Sequence, residues 1–179
     1  MSCSRFSLQP FPSMEVPDGV RVSGEVSRAA GRFGTRFDLC GPLGHLAISA
    51  SSKAPARTDG LWEGTCFEFF LAPWDSPGYW EFNLSPSGCW NIYGFSGYRE
   101  GMHEERAFAS LPFEVVLREG SLSVRLAVEI GRILAPDRAI DIGVSAVLES
   151  KDGSFSYWAL EHRAARPDFH QRDGFSIRL

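Results

Sequence analysis

Apolar and polar residues alternate with a period of two along much of this chain. Leu122, Val124, Leu126, Val128 and Ile130 interleave with Ser123, Arg125, Ala127 and Glu129. A strand sends alternate residues to opposite faces, so this run reads as a strand with one dry and one wet face. Ile140, Ile142, Val144, Ala146 and Leu148 repeat the pattern. Val20, Val22 and Val26 mark an early strand; Arg36–Leu39 and Leu46–Ser49 predict two more, separated by Gly41, Pro42 and Gly44. Thr65–Leu71, Tyr79–Leu84, Cys89–Phe95, Phe113–Arg118, Phe155–Glu161 and Phe175–Leu179 complete the set. Ser51 to Gly60 is polar, contains Pro55 and reads as a loop. Glu119-Gly120-Ser121 and Lys151-Asp152-Gly153-Ser154 are hairpin connections. Helical spacing is confined to Ile130–Leu134, which Pro136 cuts to a single turn. Roughly ten short strands with almost no helix predict an all-β fold, a two-layer antiparallel β-sandwich of jelly-roll or immunoglobulin-like type.

Chemistry concentrates where that alternation carries polar groups among rings. Glu68 sits between Cys66 and Phe70, and Glu81, Asn83 and Ser85 alternate with Trp80, Phe82 and Leu84. One sheet face therefore carries carboxylates, an amide and aromatic rings. Ser85-Pro86-Ser87-Gly88 turns Tyr79–Leu84 back into Cys89–Phe95. If Pro86 and Ser87 form the apex, Asn83 faces Trp90 and Glu81 faces Ile92. A slip of one residue pairs Glu81 with Tyr93 and Asn83 with Asn91 instead, and turn length leaves both registers open. In the second register Glu81, Asn83, Asn91 and Tyr93 gather on one face with Glu68 from a neighbouring strand. Such a set suits a small polar ligand, because carboxylates and amides take pairs of hydroxyls while a ring stacks on a C–H face. The bland alternative is an exposed strand carboxylate beside core rings, yet polar groups among so many aromatics are costly if buried without partners.

Other chemistry is weaker. Glu68 and Glu81 on one face have the makings of a glycosidase pair, an arrangement that sandwiches also produce by chance. Of the five tryptophans, Trp62 and Trp74 adjoin loops and are the candidate stacking platforms, the others reading as core. Arg163, Arg166, Asp168, His170, Arg172 and Asp173 crowd one connection, either a solvated ion-paired loop or a closure for one end of the site, with Arg166 and His170 as its candidate ligand contacts. The histidines follow no metal-binding spacing, so no metal site is expected. There is no GxSxG and no Cys beside a His in sequence. The four cysteines form no CxxC; Cys66 and Cys89 read as small buried thiols, with a disulfide between them only if their strands are neighbours.

Composition narrows the classes. A length of 179 residues predicts one domain spanning 1–179. With 44% hydrophobic and 22% charged residues the chain is globular. Its net charge of −4 argues against nucleic acid as a partner. No long apolar run predicts a membrane span, and the N-terminus lacks the apolar region of a signal peptide, so the expectation is a cytoplasmic protein or one whose leader has been removed.

LWEGTCFEFFLAP, YWEFNLSPSGCWNIYGF, YREGM and the ending WALEHRAARPDFHQRDGFSIRL resemble the bacterial DOMON-like domains related to family 9 carbohydrate-binding modules. The resemblance runs from about Leu61 to Leu179, the first part of the chain matching only as strands. It implies a two-sheet sandwich that binds a ligand. Sugar-binding members hold a terminal sugar between aromatics with acidic and amide groups around it; Trp62, Glu68, Glu81, Asn83 and Tyr93 match by position in the motif. Haem-binding members use methionine with histidine, which would be Met102 and His162 here, although no CxxCH attachment motif is present. The expectation is a non-catalytic module for a small sugar or other polar metabolite, with no cofactor. The alternatives are a haem-binding electron-transfer domain, a glycoside hydrolase, or an interaction scaffold whose sheet edges meet a partner or form a homodimer.

Overall fold

The computed structural model describes residues 2–16, 18–49 and 54–179. The described residues form thirteen strands in chain order: β1 (Ser2–Ser7), β2 (Gln9–Pro10), β3 (Arg21–Ala29), β4 (Arg32–Cys40), β5 (Cys66–Pro73), β6 (Tyr79–Leu84), β7 (Trp90–Phe95), β8 (His103–Glu104), β9 (Phe113–Arg118), β10 (Ser121–Glu129), β11 (Ile140–Glu149), β12 (Phe155–Ala159) and β13 (Ile177–Arg178). They form two antiparallel sheets. The smaller runs β1-β3-β4-β10-β9; the larger runs β2-β12-β11-β5-β6-β7-β8, with β13 pairing the first residues of β11. Helical structure among the described residues is limited to short 3-10 turns, one of them at Ile130–Arg132, where the sequence allows a single turn.

The alternation dictates the packing. Leu122, Val124, Leu126 and Val128 of β10 point inward, and Ile140, Ile142, Val144, Ala146 and Leu148 of β11 meet them from the other sheet. Phenylalanines join the layers. Phe33 of β4 stacks on Phe69 of β5 with centroids 5.1 Å apart, Phe69 stacks on Phe82 of β6 at 4.4 Å, and Phe108 meets Phe82 edge-on at 5.9 Å. Phe37 and Phe67 make a parallel bridge at 5.2 Å.

Several expectations are corrected. Leu46–Ser49 is not a strand: a 3-10 turn at Leu43–His45 precedes it, and it contributes one bridge, Leu46 to Ser150. The early hairpin is longer than its valines indicate, because β4 begins at Arg32 immediately after a tight turn at Ala30-Gly31. β1, β2 and β8 carry too little apolar patterning to be read. Of the loop expected at Ser51–Gly60, residues 51–53 lie outside the described residues; the remainder makes no strand beyond a bridge from Arg57 to Trp90. Cys66 is buried, but Cys89 precedes β7 and is only half-buried. The two are unbonded, since β6 lies between their strands.

The central hairpin adopts the second of the two registers. Glu81 faces Tyr93, and Asn83 faces Asn91. The loop holds three residues, not two: the Gly88 amide donates to the Ser85 carbonyl, and the Ser85 amide to the Cys89 carbonyl, both at 2.9 Å. Gly88 has φ +90°, a conformation that lets a turn absorb one extra residue before the ladder resumes.

Phe69 lies between rings from both layers and is fully buried. Phe69→Ala should cost about 3–5 kcal/mol of stability, read as a shift in the urea unfolding midpoint at unchanged slope.

Candidate functional site

Every residue of β5 is buried, including those pointing away from the sandwich core. The cause is the chain after β12, which folds back over the outer face of the larger sheet. Phe175 stacks on Phe70 at 5.2 Å, and the His170 ring meets Phe70 and Phe95 edge-on at 5.4 and 5.1 Å. Gly143 of β11 permits this approach, because a Cβ there would stand 2.5 Å from the Phe175 ring. A second, smaller apolar cluster of Phe70, Ala72, Tyr79, Tyr93, Phe95 and Phe175 results.

The strands place Glu68, Glu81, Asn83, Asn91 and Tyr93 together on this covered face. All five are buried. Above them a cleft of about 360 Å³ remains open. Glu68 and Glu81 lie on its floor; Trp62, Phe95, Tyr157 and Phe169 contribute aromatic walls; Arg99, Met102 and His170 complete its margin. Trp62 is 37% exposed and meets Tyr93 edge-on at 5.7 Å, so the ring is braced from one side and open on the other.

Hydrogen bonds divide these residues into those that meet the cleft and those that fix them. Ser145 Oγ donates to Glu68 Oε2 at 2.9 Å, and Asn83 Nδ2 donates to Glu81 Oε1 at 2.9 Å. Asn91 does not reach the cleft. Its Oδ1 accepts from Arg57 at 2.7 Å, and its Nδ2 donates to the Tyr93 hydroxyl at 2.8 Å, which in turn donates to Asp59. Arg57 lies 4.3 Å above the Trp90 ring centroid and donates to the carbonyls of Glu105 and Phe108. Asn83, Asn91 and Tyr93 therefore support the floor and are not lining residues.

The margin is held by a polar clasp that the sequence does not announce. Arg99 has φ +54°, and its backbone amide donates to the Tyr79 hydroxyl at 3.2 Å. Its guanidinium donates to Asp168 Oδ1 at 2.9 Å, while Tyr98 donates to Asp168 Oδ2 at 2.5 Å. The loop after β7 is thereby tied to the C-terminal segment. The Tyr79 hydroxyl also shares a hydrogen bond with His170 Nδ1, 2.8 Å away. The other ring nitrogen, Nε2, faces Glu81 Oε2 at 3.7 Å, too far for a direct hydrogen bond.

Burial controls the protonation states. Glu68 is pushed up to about 8, first by desolvation and then by the neighbouring Glu81. Glu81 is raised to about 6 by desolvation, against its bond from Asn83. His170 is lowered to about 4 by burial and by the charge of Arg99, so at neutral pH it is an uncharged imidazole and its contact with Glu81 is not an ion pair. Asp168 falls to about 2 because its bonds from Tyr98, Gln171 and Arg99 outweigh desolvation.

Of the residues singled out in the sequence, Trp62, Glu68, Glu81 and His170 line the cleft. Arg166 is exposed and does not line it, and Arg99 supplies the cationic edge instead. Trp74 is 61% exposed, with the Arg178 guanidinium 5.8 Å from its ring, and takes no part in the cleft. The haem pair is not brought together. Met102 stands at the cleft margin, whereas His162 bonds the Gln9 carbonyl through Nε2 at 2.9 Å and packs edge-on against Phe11. Among the described residues no cluster of His, Cys, Asp and Glu has the geometry to hold a metal ion.

Solved structures share this architecture. A Bacteroides uniformis protein, described as a candidate carbohydrate-binding protein, superposes with a TM-score of 0.71 over 96% of this chain and 83% of its own, at 15% identity. A family 9 carbohydrate-binding module from Caldicellulosiruptor kristjanssonii in complex with cellotriose gives 0.56 over 90% and 74%, at 6% identity. A family 9 module from the same organism in complex with glucose gives 0.50 over 86% and 72%, at 8% identity. At these identities the likeness establishes a family 9-like sandwich fold. No family model and no curated protein matches the sequence.

The buried floor should leave a signature in the pH dependence of stability. Glu68 holds its proton to a higher pH in the fold than in the unfolded chain, so its contribution is complete below about 4.5 and is lost as pH rises through about 8. His170 works in the opposite direction, losing stability as pH falls from 6.5 toward 4. Glu81 has largely titrated above about 6. Between pH 6.5 and 8.5 Glu68 therefore dominates, and Glu68→Gln should flatten the fall in melting temperature across that interval by about 3 °C or more. An unchanged slope in thermal melts would refute the assignment.

Proposed function

We propose that the chain, as a single module, binds a small carbohydrate in this cleft without transforming it. The observation that carries the reading is a pair of buried carboxyls at the base of an aromatic-walled cleft, each with acceptor capacity left over. Glu68 and Glu81 each accept one close protein hydrogen bond through one oxygen, and the other oxygen has no close donor among the described residues. These oxygens are reachable from the cleft, where a ligand or water can supply the donors. Sugar hydroxyls are such donors, and they come in adjacent pairs that match a carboxyl.

The walls supply the other half of the recognition. Trp62 offers a braced ring at the entrance, and Tyr157 and Phe169, 6.2 Å apart, line the cleft further along. Stacking on such rings contributes about 1 kcal/mol per good contact. A cleft of about 360 Å³ lies at the small end of ligand sites, which favours one or two sugar rings. The sequence resemblance to DOMON-like domains supports the same reading. So do the sugar complexes of the family 9 modules, although those sugars belong to those proteins.

Isothermal titration against glucose, cellobiose, galactose and xylose tests the proposal. At least one should bind with a dissociation constant below about 1 mM, and Trp62→Ala should weaken it by about tenfold, equivalent to roughly 1.4 kcal/mol. Glu81→Gln, which keeps the shape, should weaken it by a similar factor. Binding of none of the panel, or binding indifferent to both substitutions, overturns the reading.

A further inference from the structure

The floor of the cleft holds two carboxyls, and the charge of the one cation beside them, Arg99, acts on both without making a close contact to either. Among the described residues Arg99 is the one cationic side chain lining the cleft, and its guanidinium is engaged by Asp168 at 2.9 Å. Arg57, below the floor, is consumed by Asn91 and two backbone carbonyls. The donors that do reach Glu68 and Glu81, Ser145 and Asn83, are neutral. His170, the remaining basic group, is held uncharged by its surroundings. Trp62, Phe95, Tyr157 and Phe169 line the walls, and aromatic rings attract a cation to their faces. A neutral sugar can occupy the free carboxyl oxygens but leaves this charge balance unchanged. An ammonium would satisfy both the oxygens and the field.

We propose that the cleft selects a ligand bearing a protonated amine, an amino sugar, over a neutral sugar of the same shape. The inference rests on the carbohydrate reading above and names the substrate class within it. In the bound state the ammonium is placed against the free oxygens of Glu68 and Glu81, with the sugar ring against the aromatic wall. A cation there favours the ionised form of both carboxyls, so a proton carried by the pair in the free protein is released to solvent on binding.

The titratable and charged groups facing the pair are Cys66 on β5, Tyr79 on β6, Tyr93 on β7, Arg99 on the following loop, Asp168 and His170 on the C-terminal segment, and Asp59 beyond Tyr93. Burial raises Cys66, Tyr79 and Tyr93, Asp168 is held near 2, and His170 near 4. Between pH 5 and about 7, below the range in which the amine of the ligand titrates, the change in binding therefore reports Glu68 and Glu81.

Titration calorimetry on the full chain with glucosamine, glucose and N-acetylglucosamine decides the matter. At pH 7 glucosamine should bind about tenfold or more tightly than either neutral sugar, and its apparent enthalpy should differ between phosphate and Tris buffers as a proton is released. At pH 5, and in Glu81→Gln at pH 7, the preference should shrink to about twofold or less. The pH arm stands by itself if the variant fails to fold, which a melting curve shows. Equal affinities for glucosamine and glucose at pH 7 overturn this inference and leave the carbohydrate reading intact. So does an amine preference that survives both pH 5 and Glu81→Gln. Failure of all three sugars to bind overturns both.

Discussion

The outer face of the larger sheet is covered over most of β5, β6 and β7, and the character of the site follows from that. The segment after β12 lays Phe175 and His170 over Phe70 and Phe95, which converts what would be a solvated surface into a second, shallow interior. Polar side chains on that surface must then find partners or remain costly. Most do. Asn91, Tyr93, Asp59 and Arg57 close a network among themselves. Glu68 and Glu81 are satisfied only in part, and they are the two carboxyls that meet the cleft. Where the cover is complete the sheet is scaffold; where it leaves a gap the same row of residues becomes the floor of a cleft.

That division explains how much could be read from the chain alone. β6 and the alternating core faces of β10 and β11 were legible because each buries a stripe against the opposite sheet, and period-two patterning reports that burial directly. The sharing of one face by Glu68, Glu81, Asn83, Asn91 and Tyr93 was legible for the same reason, up to a choice between two registers. Gly88 settles that choice through a backbone conformation, and composition at a turn gives no count of the residues the loop will hold. Edge strands as short as β2 and β8 leave no periodic trace.

The margin was not legible. Arg99 reaches the cleft from a loop, through a left-handed backbone conformation stabilised by Tyr79 across the chain. No pattern in SGYREGM marks it as the cationic edge, and Arg166 is an equally plausible arginine in a sequence that is denser in charge. Asp168 decides between them by anchoring Arg99, Tyr98 and Gln171 at once. Long-range pairing of this kind is a property of the folded chain. Likewise His162 and Met102 are attractive as a pair only until each is seen with its own neighbours.

The three-residue turn at Pro86–Gly88 has a consequence for how such a site changes over time. The hairpin can be written in two phases, and in the other one Trp90 and Ile92 would stand opposite Asn83 and Glu81. In that phase hydrocarbon would replace the amide and phenol, Asn91 and Tyr93, that stand opposite Asn83 and Glu81. The make-up of the cleft floor is thus stored partly in the register that a remote loop sets, and drift there would undo the floor without altering one residue of it.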